Sequence, residues 1–441
     1  MFVTFVYLLI AGSIILLISA PWVAAVSYAF LSMLQPQYIW FWAFQNVSLF
    51  KITAGIAIMG WGFCMLRGQI NWRVYNNFIF FGVIALLALY HLSELFTPFK
   101  SYSSSVSSDL VMGIYFTIVL MFIVVLGLIN NKLAVQFLSW GFIALTLYYA
   151  WWANELYFSG NWAMFKNGRL TGPFGSPYGD GNVLSIIWVI GMPFIIFSIF
   201  NVKSIWVKVG LICCIPLILH AIILCASRGA LLSTGMATLF AATIVRSKAF
   251  NIILALGMGI FIIDQGAQLM SRTVSTVQQA RSETEQPLNP RLVSWKVGYE
   301  LVKSRPLFGV GPQRFLEASS FYTDNRSPHV AHNTLVNFAA NLGIFAGFIY
   351  LGFFYKAWRM FKQNKKKLEE SPDKLFEFVN NATICSMVGF FFGALFLDLI
   401  IFEPFFFLLI LLVANNFLIS QLGDKQQAVV DNLKQTKTTR A

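Results

Sequence analysis

The sequence predicts an all-α polytopic membrane bundle of 12 or 13 spans, with one large external loop that holds short amphipathic helices. Three observations carry this expectation. Hydrophobic residues make up 58% of the chain and charged residues 11%, and the mean hydropathy is +0.70, a balance unsuited to soluble domains. Apolar runs of roughly 17 to 25 residues, the length that crosses a bilayer, recur along the chain. One polar stretch, Asp264 to His332, interrupts them and carries eight basic residues.

Taken in order, residues 2–34 form an apolar pair broken at Pro21. Further runs fall near 50–66, 76–96, 110–129, 131–149, 182–200, 204–226, 229–245, 249–264, 332–358, 377–399 and 401–420. Met1 to Ala20 has no basic start and a second apolar run follows it, so it reads as a retained membrane segment rather than a cleaved signal. Arg67, Arg73, Lys132, Lys203, Lys208, Arg246, Lys248 and the run Lys356 to Lys374 collect in alternate short loops, which the positive-inside rule places in the cytoplasm. Asp264 to His332 then lies outside, since a connection this long translocates regardless of its charge. The side on which the N-terminus lies depends on whether residues 2–34 cross once or twice. The expected division is an N-terminal transmembrane bundle over 1–264, the large loop over 265–331, C-terminal transmembrane helices over 332–422 and a solvated cytoplasmic tail over 423–441.

Composition also excludes some classes of function. The excess of 31 basic over 18 acidic residues is what cytoplasmic loops of a membrane protein produce, so membrane lipids are expected around the chain and nucleic acid is not. The five cysteines (Cys64, Cys213, Cys214, Cys225 and Cys385) lie in or beside apolar segments without CxxC spacing, which indicates neither disulfides nor zinc. His329 and His332 form an HxxH without a zinc hydrolase's glutamate or a third ligand, so no metal is expected.

Three residues stand out as carriers of chemistry. Arg228, in Cys225-Ala-Ser-Arg-Gly229, sits at a turn inside an otherwise apolar stretch, where an arginine is costly unless it has a partner. It either snorkels to the headgroups or grips an anion with its fork of donors. Within the loop, Asn289 as N-cap, Pro290 at the first helical position and Arg305-Pro306 as a stop delimit a helix. Arg291 lies in its first turn, where the helix end already favours anions. Leu292, Trp295, Tyr299 and Val302 mark the expected apolar face of that helix. His332 precedes Asn333 and Thr334, which cap the next helix; it reads either as a headgroup-level histidine with a hydrogen bond or, since a positive helix end keeps imidazole neutral, as a base able to accept a proton.

Other residues are candidates for the walls of the same pocket: Arg169, Asp180, Asn333 and Arg314. The Gly- and Pro-rich run Thr171-Gly-Pro-Phe-Gly-Ser-Pro-Tyr-Gly-Asp-Gly-Asn182 reads either as a tight turn capped by Asp180 or Asn182, or as a pocket wall. Leu307-Phe-Gly-Val-Gly-Pro312 reads as turns that return the chain to the membrane. Arg272, Arg281, Arg305 and Arg326 need no explanation beyond a basic loop near anionic lipid.

Ser227-Arg-Gly229, Asn289-Pro-Arg-Leu-Val-Ser-Trp295, Arg305-Pro-Leu-Phe-Gly-Val-Gly-Pro312 and His332-Asn333 heading a helix together resemble the O-antigen ligase and polymerase superfamily, over roughly residues 170–360. Leu34-Gln-Pro-Gln-Tyr38 more faintly resembles its exosortase-associated O-glycosylation ligase branch. The resemblance implies a GT-C-type, metal-independent glycosyltransferase of the bacterial inner membrane, without a cofactor. Its donor would be a glycan on undecaprenyl pyrophosphate. Its acceptor would be the lipid A core or a similar hydroxyl, a second lipid-linked repeat unit, or a protein. On matching positions Arg228 and Arg291 would hold the pyrophosphate and His332 would be the base, in a periplasmic catalytic loop. A lipid-linked glycan flippase is the expectation from a different class, and it would not need His332.

Overall fold

The computed structural model describes residues 2–45, 47–100, 107–245, 247–248, 251–252, 290–322 and 328–438. They form an almost wholly helical bundle whose only sheet among the described residues is a two-stranded hairpin. Nine helices among the described residues are long and apolar enough to cross a membrane. Before them come α1 (Phe2–Ile15), α2 (Trp22–Leu34) and two single turns, α3 (Pro36–Ile39) and α4 (Phe41–Phe44). The first spans are α5 (Leu49–Leu66), α6 (Phe78–Phe96), α7 (Ser108–Leu128) and α8 (Lys132–Phe158). The hairpin follows, β1 (Phe165–Lys166) with β2 (Arg169–Leu170), then the spans α9 (Gly181–Asn201), α10 (Ile205–Leu224) and α11 (Arg228–Val245). The expected span over 249–264 lies largely outside the described residues.

Within the loop region stand α12 (Pro290–Ser304) and α13 (Phe315–Ser319), followed by α14 (Thr334–Leu342) and α15 (Ile344–Glu370). The chain ends with α16 (Lys374–Ala394) and α17 (Glu403–Thr438). One expectation is corrected here. The apolar run 332–358 is not one span, because Gly343 at φ 92° breaks it into α14 and α15. A Cβ at Gly343 would also lie 2.0 Å from the Leu307 carbonyl oxygen, so only glycine fits. In the tail expected from residue 423, α17 continues as helix to Thr438.

Burial divides the helices into centre and periphery. The apolar window of α9 is 83% buried and that of α10 only 22%, so α9 is the axis of the bundle and α10 faces lipid. Small residues permit the close packing of α9: a Cβ on Gly191 would fall 1.6 Å from Thr146 Oγ1 of α8. With few apolar contacts to gain over lipid, such backbone approaches and interhelical hydrogen bonds do the joining. Ser386 Oγ of α16 donates to the Ile190 carbonyl of α9 at 2.5 Å as one example.

The loop segment has a small core of its own, formed by Val297, Leu301, Val310, Phe315, Ala318, Ala331 and Ala340. The buried stripe of α12 is therefore Ser294, Val297, Gly298 and Leu301, whereas Leu292 and Tyr299 are exposed. The stripe that packs on α14 uses small residues, because Gly298 admits Val336 of α14 into the space where a Cβ would stand. The two glycines of the following turn dock it on the end of α14. Val310 N donates to the Ala340 carbonyl at 2.9 Å and Gly311 N to that of Asn341 at 3.0 Å, satisfying carbonyls a helix end leaves open.

Arg314 then ties this unit to the bundle. Its side chain is buried, Nη1 and Nη2 grip the two carboxylate oxygens of Glu94 at the end of α6, and Nη1 reaches Ser108 Oγ of α7 at 3.2 Å. Breaking one side of a buried, forked ion pair leaves the other charge desolvated, although Glu94 keeps 31% exposure and water screens part of the penalty. Arg314→Met is expected to cost about 2 kcal/mol, read as a lowered thermal midpoint of the detergent-solubilised protein. A midpoint equal to that of the wild type would remove the tie.

Candidate functional site

The site assembles at one end of the bundle from three separate parts of the chain. The first is the elbow between α10 and α11. After Leu224 the chain reverses through Ala226 at φ 48°, and Ser227 caps α11, its Oγ accepting from Ala230 N at 3.4 Å. Arg228 is thereby the first residue of α11, with an exposed side chain and no acidic residue in that first turn.

The elbow is braced from outside. The β1–β2 hairpin turns through Asn167 and Gly168, both at positive φ, and presents Arg169. The Arg169 guanidinium donates from Nε and Nη2 to the Cys225 carbonyl at 3.2 and 3.1 Å, and from Nη2 to Asn182 Oδ1 at 3.1 Å. Asp180, the N-cap of α9, fixes Asn182 in turn by accepting from its N at 2.6 Å and its Nδ2 at 2.9 Å. Arg169 thus completes the C-terminal end of α10, where a cation is favoured. Asp180 does cap a helix, and it also exerts an electrostatic pull on His332. Two residues before Asp180 the Gly- and Pro-rich run is fastened by Tyr178 Oη, which donates to the Met33 carbonyl of α2 at 2.9 Å.

The second part is α12, whose range agrees with the helix expected from its sequence, although Asn289 lies outside the described residues. Arg291 is exposed in its first turn, and its Cζ stands 5.9 Å from the ring centroid of Phe396. Phe396 belongs to the turn between α16 and α17. The same ring lies against the start of α11, where a Cβ on Gly229 would be 3.5 Å from Phe396 Cβ. Arg291 and the residue following Arg228 thus meet one aromatic side chain.

The third part is the start of α14. Asn333 is buried and caps that helix, its Oδ1 accepting from Val336 N at 3.1 Å. Thr334 Oγ1 donates to the Leu397 carbonyl at 2.8 Å and accepts from Leu399 N at 3.0 Å. Asn337 Nδ2 donates to Asp398 Oδ2, so the Phe396 turn is held on α14 from both sides. His332, immediately before the cap, has an exposed side chain on backbone at φ 46°. Partial burial of the ring, then the nearby Arg291 charge, hold its pKa below the usual histidine value, with His329 adding to this and Asp180 opposing it.

Arg228, Arg291, His332, Asn333, Arg169 and Asp180 therefore share this end of the bundle, while the hydrogen bonds of Arg314 go to the α6–α7 junction. Arg272, Arg281 and Arg326 lie outside the described residues. Among the described residues no three His, Cys, Asp or Glu side chains converge as metal ligands. Phe396 and its turn were missed by sequence reasoning. The available signal was Asp398, an acid interrupting an apolar run of phenylalanine and leucine. The brace generates one expectation: Arg169→Ala should speed amide hydrogen exchange about tenfold at Ala226 to Gly229, the loss of a charge-assisted bond to a carbonyl. Unchanged exchange there would show that the elbow stands without it.

Residues 210–351 match the family model described as O-Antigen ligase. No curated protein matches the chain. The matched segment begins inside α10, contains Arg228, Arg291 and His332, and ends inside α15, so the Phe396 turn lies beyond it. Over residues 210–351 the chain is thus similar to the O-antigen ligase family.

Proposed function

We propose that the chain transfers a glycan from undecaprenyl pyrophosphate to an acceptor hydroxyl, on the lipid A core or a similar final acceptor, at the periplasmic face of the bacterial inner membrane. The family that residues 210–351 resemble is one of glycosyltransferase-like enzymes. The observation that carries the finer reading is the convergence of two helix starts on Phe396, each with an arginine in its first turn. A helix N-terminus favours anions and disfavours cations, so an arginine placed there is best satisfied by an anion shared with the helix. A pyrophosphate offers the forked oxygens a guanidinium matches.

His332 supplies the other requirement. With its pKa held down it is neutral at pH 7, and a ring nitrogen can take a proton. In the proposed reaction the acceptor O–H gives its proton to His332 while the oxygen bonds to the anomeric carbon. The bond from that carbon to the pyrophosphate oxygen breaks, and the electron pair leaves with the pyrophosphate. The charge growing on the leaving group faces Arg228 and Arg291, whose place in a fixed frame makes the stabilisation available without reorganisation. Asn333 and Asp180 set the histidine and its surroundings, and no metal is required for any step of this scheme. A polymerase joining lipid-linked repeat units would use the same donor chemistry, and a protein O-glycosyltransferase would differ only in its acceptor.

Full-length protein in proteoliposomes, given lipid-linked glycan with lipid A core, a second repeat unit or a protein acceptor in separate reactions, tests this reading. Release of undecaprenyl pyrophosphate with the lipid A core alone is expected, and release with none of them would overturn transfer. His332→Ala should lower the rate by about 10²–10⁴-fold while donor still binds; glycan translocation that persists in this variant without transfer would instead point to a flippase. Arg228→Ala and Arg291→Ala should each weaken donor binding about tenfold. The transfer rate should climb with pH through an apparent pKa below about 6.5 and level off at neutral pH. Because the Arg291 charge lowers the histidine pKa, Arg291→Gln should move that rise to higher pH. Chelator should leave the rate unchanged, and inhibition restored by a divalent ion would overturn the metal-independent scheme.

A further inference from the structure

Arg291 poses an electrostatic difficulty that the Phe396 turn answers. It is a cation in the first turn of α12, at the positive end of the helix dipole, with no carboxylate in that turn to offset it. The repulsion favours rotamers that carry the guanidinium away from the helix end, and a guanidinium already held in one of them loses less entropy when it grips a ligand. The ring of Phe396 provides a neutral surface of the right polarity, since its face carries the negative lobe of the aromatic quadrupole.

The ring itself is well fixed. Gly229 at the start of α11 leaves room against its Cβ and ring carbons, at 3.5 to 3.8 Å from where a glycine Cβ would be. The backbone that carries it is pinned by Thr334 to the carbonyl of Leu397 and the amide of Leu399, and by Asn337 to Asp398. Phe396 N donates to the Gly393 carbonyl at 3.0 Å, which sets the turn on the end of α16. The cation–π contact therefore joins a side chain on a loop helix to a ring fixed by three bundle elements.

We propose that Phe396 is a positioning residue of the donor site, holding the Arg291 guanidinium by a cation–π contact at a set distance from the start of α11, where Arg228 stands. The inference rests on the reading of Arg291 as a donor-binding residue, and it adds a role for a turn outside the matched family segment. Phe396 touches neither the reacting atoms nor the pyrophosphate in this proposal; its effect is on where Arg291 waits. Aromatic character is what matters, so tryptophan should serve and an aliphatic residue of similar bulk should not.

The test is binding of undecaprenyl pyrophosphate, without a glycan, to the full-length protein in lipid nanodiscs. Phe396→Leu should weaken binding about threefold, the size of one exposed cation–π contact, and Phe396→Trp should bind as the wild type does. In an Arg291→Gln background Phe396→Leu should have no further effect, because the two changes remove the same interaction. A purely structural Phe396 would behave otherwise: its loss would multiply with that of Arg291, and tryptophan would be no better than leucine. Either of those results, or wild-type binding by Phe396→Leu, overturns the positioning role. If Arg291→Gln alone leaves binding unchanged, the donor-site reading falls and this inference falls with it. Loss of binding in Arg291→Gln combined with a multiplying Phe396→Leu overturns the role of Phe396 alone.

Discussion

The hydroxyl of Thr334 is the point on which the site end of the molecule depends. A turn between two membrane helices leaves backbone donors and acceptors that lipid cannot satisfy, and each one left unpaired costs on the order of kilocalories. Thr334 satisfies two of them at once, giving its proton to the Leu397 carbonyl and accepting from the Leu399 amide. The same residue is the first of α14, so the cap position occupied by Asn333 and the exposed His332 are set by the same contact. Whatever displaces α14 displaces the Phe396 turn as well. The glycine turn docked on the far end of α14 extends this frame through Phe315 and Val310 to α12. A loop that would otherwise wander over the membrane surface is thereby registered to the bundle.

The arginines of this region divide according to what pays for their desolvation. Arg314 is buried and meets a carboxylate with both terminal nitrogens, the arrangement in which a buried charge is tolerated. Arg169 meets carbonyl and amide oxygens at a helix C-terminus, where partial negative charge gathers. Arg228 and Arg291 stand at helix N-termini instead, where the helix opposes a cation. A bound anion makes that placement more favourable, and these two bear the proposed donor contacts.

Much of this was legible in the sequence, because lipid imposes strict rules of length and polarity. Spans such as 110–129 and 182–200 agree with α7 and α9 within a few residues, and the proline and basic signals that bracket α12 were sufficient to place it. Failures came where tertiary contacts overrule local pattern. Nothing in the apolar run after His332 distinguishes a straight span from one broken at Gly343; the break is dictated by the Leu307 carbonyl standing where a side chain would go. The face of α12 that packs on α14 had no sequence signal, because glycine and serine carry no hydrophobic mark, yet they are what let α14 approach. The partner of Arg314 lies 220 residues away in α6, and Phe396 sits in a run of phenylalanines with no mark of its own.

The charge on Arg291 acts twice in the proposed reaction. It faces the ring of Phe396 and depresses the proton affinity of His332, which favours the neutral imidazole. Once a pyrophosphate lies on the guanidinium, the positive field at His332 is offset by the donor's own negative charge, and the imidazole becomes a stronger base than it was before binding. Basicity would then be lowest when no donor is present and highest when the acceptor proton has to be removed. Separate residues for anion binding and for tuning the base would not give this coupling. It requires one guanidinium near enough to serve both, at a fixed distance, and that is the geometric demand the frame of α14, Thr334 and the Phe396 turn meets.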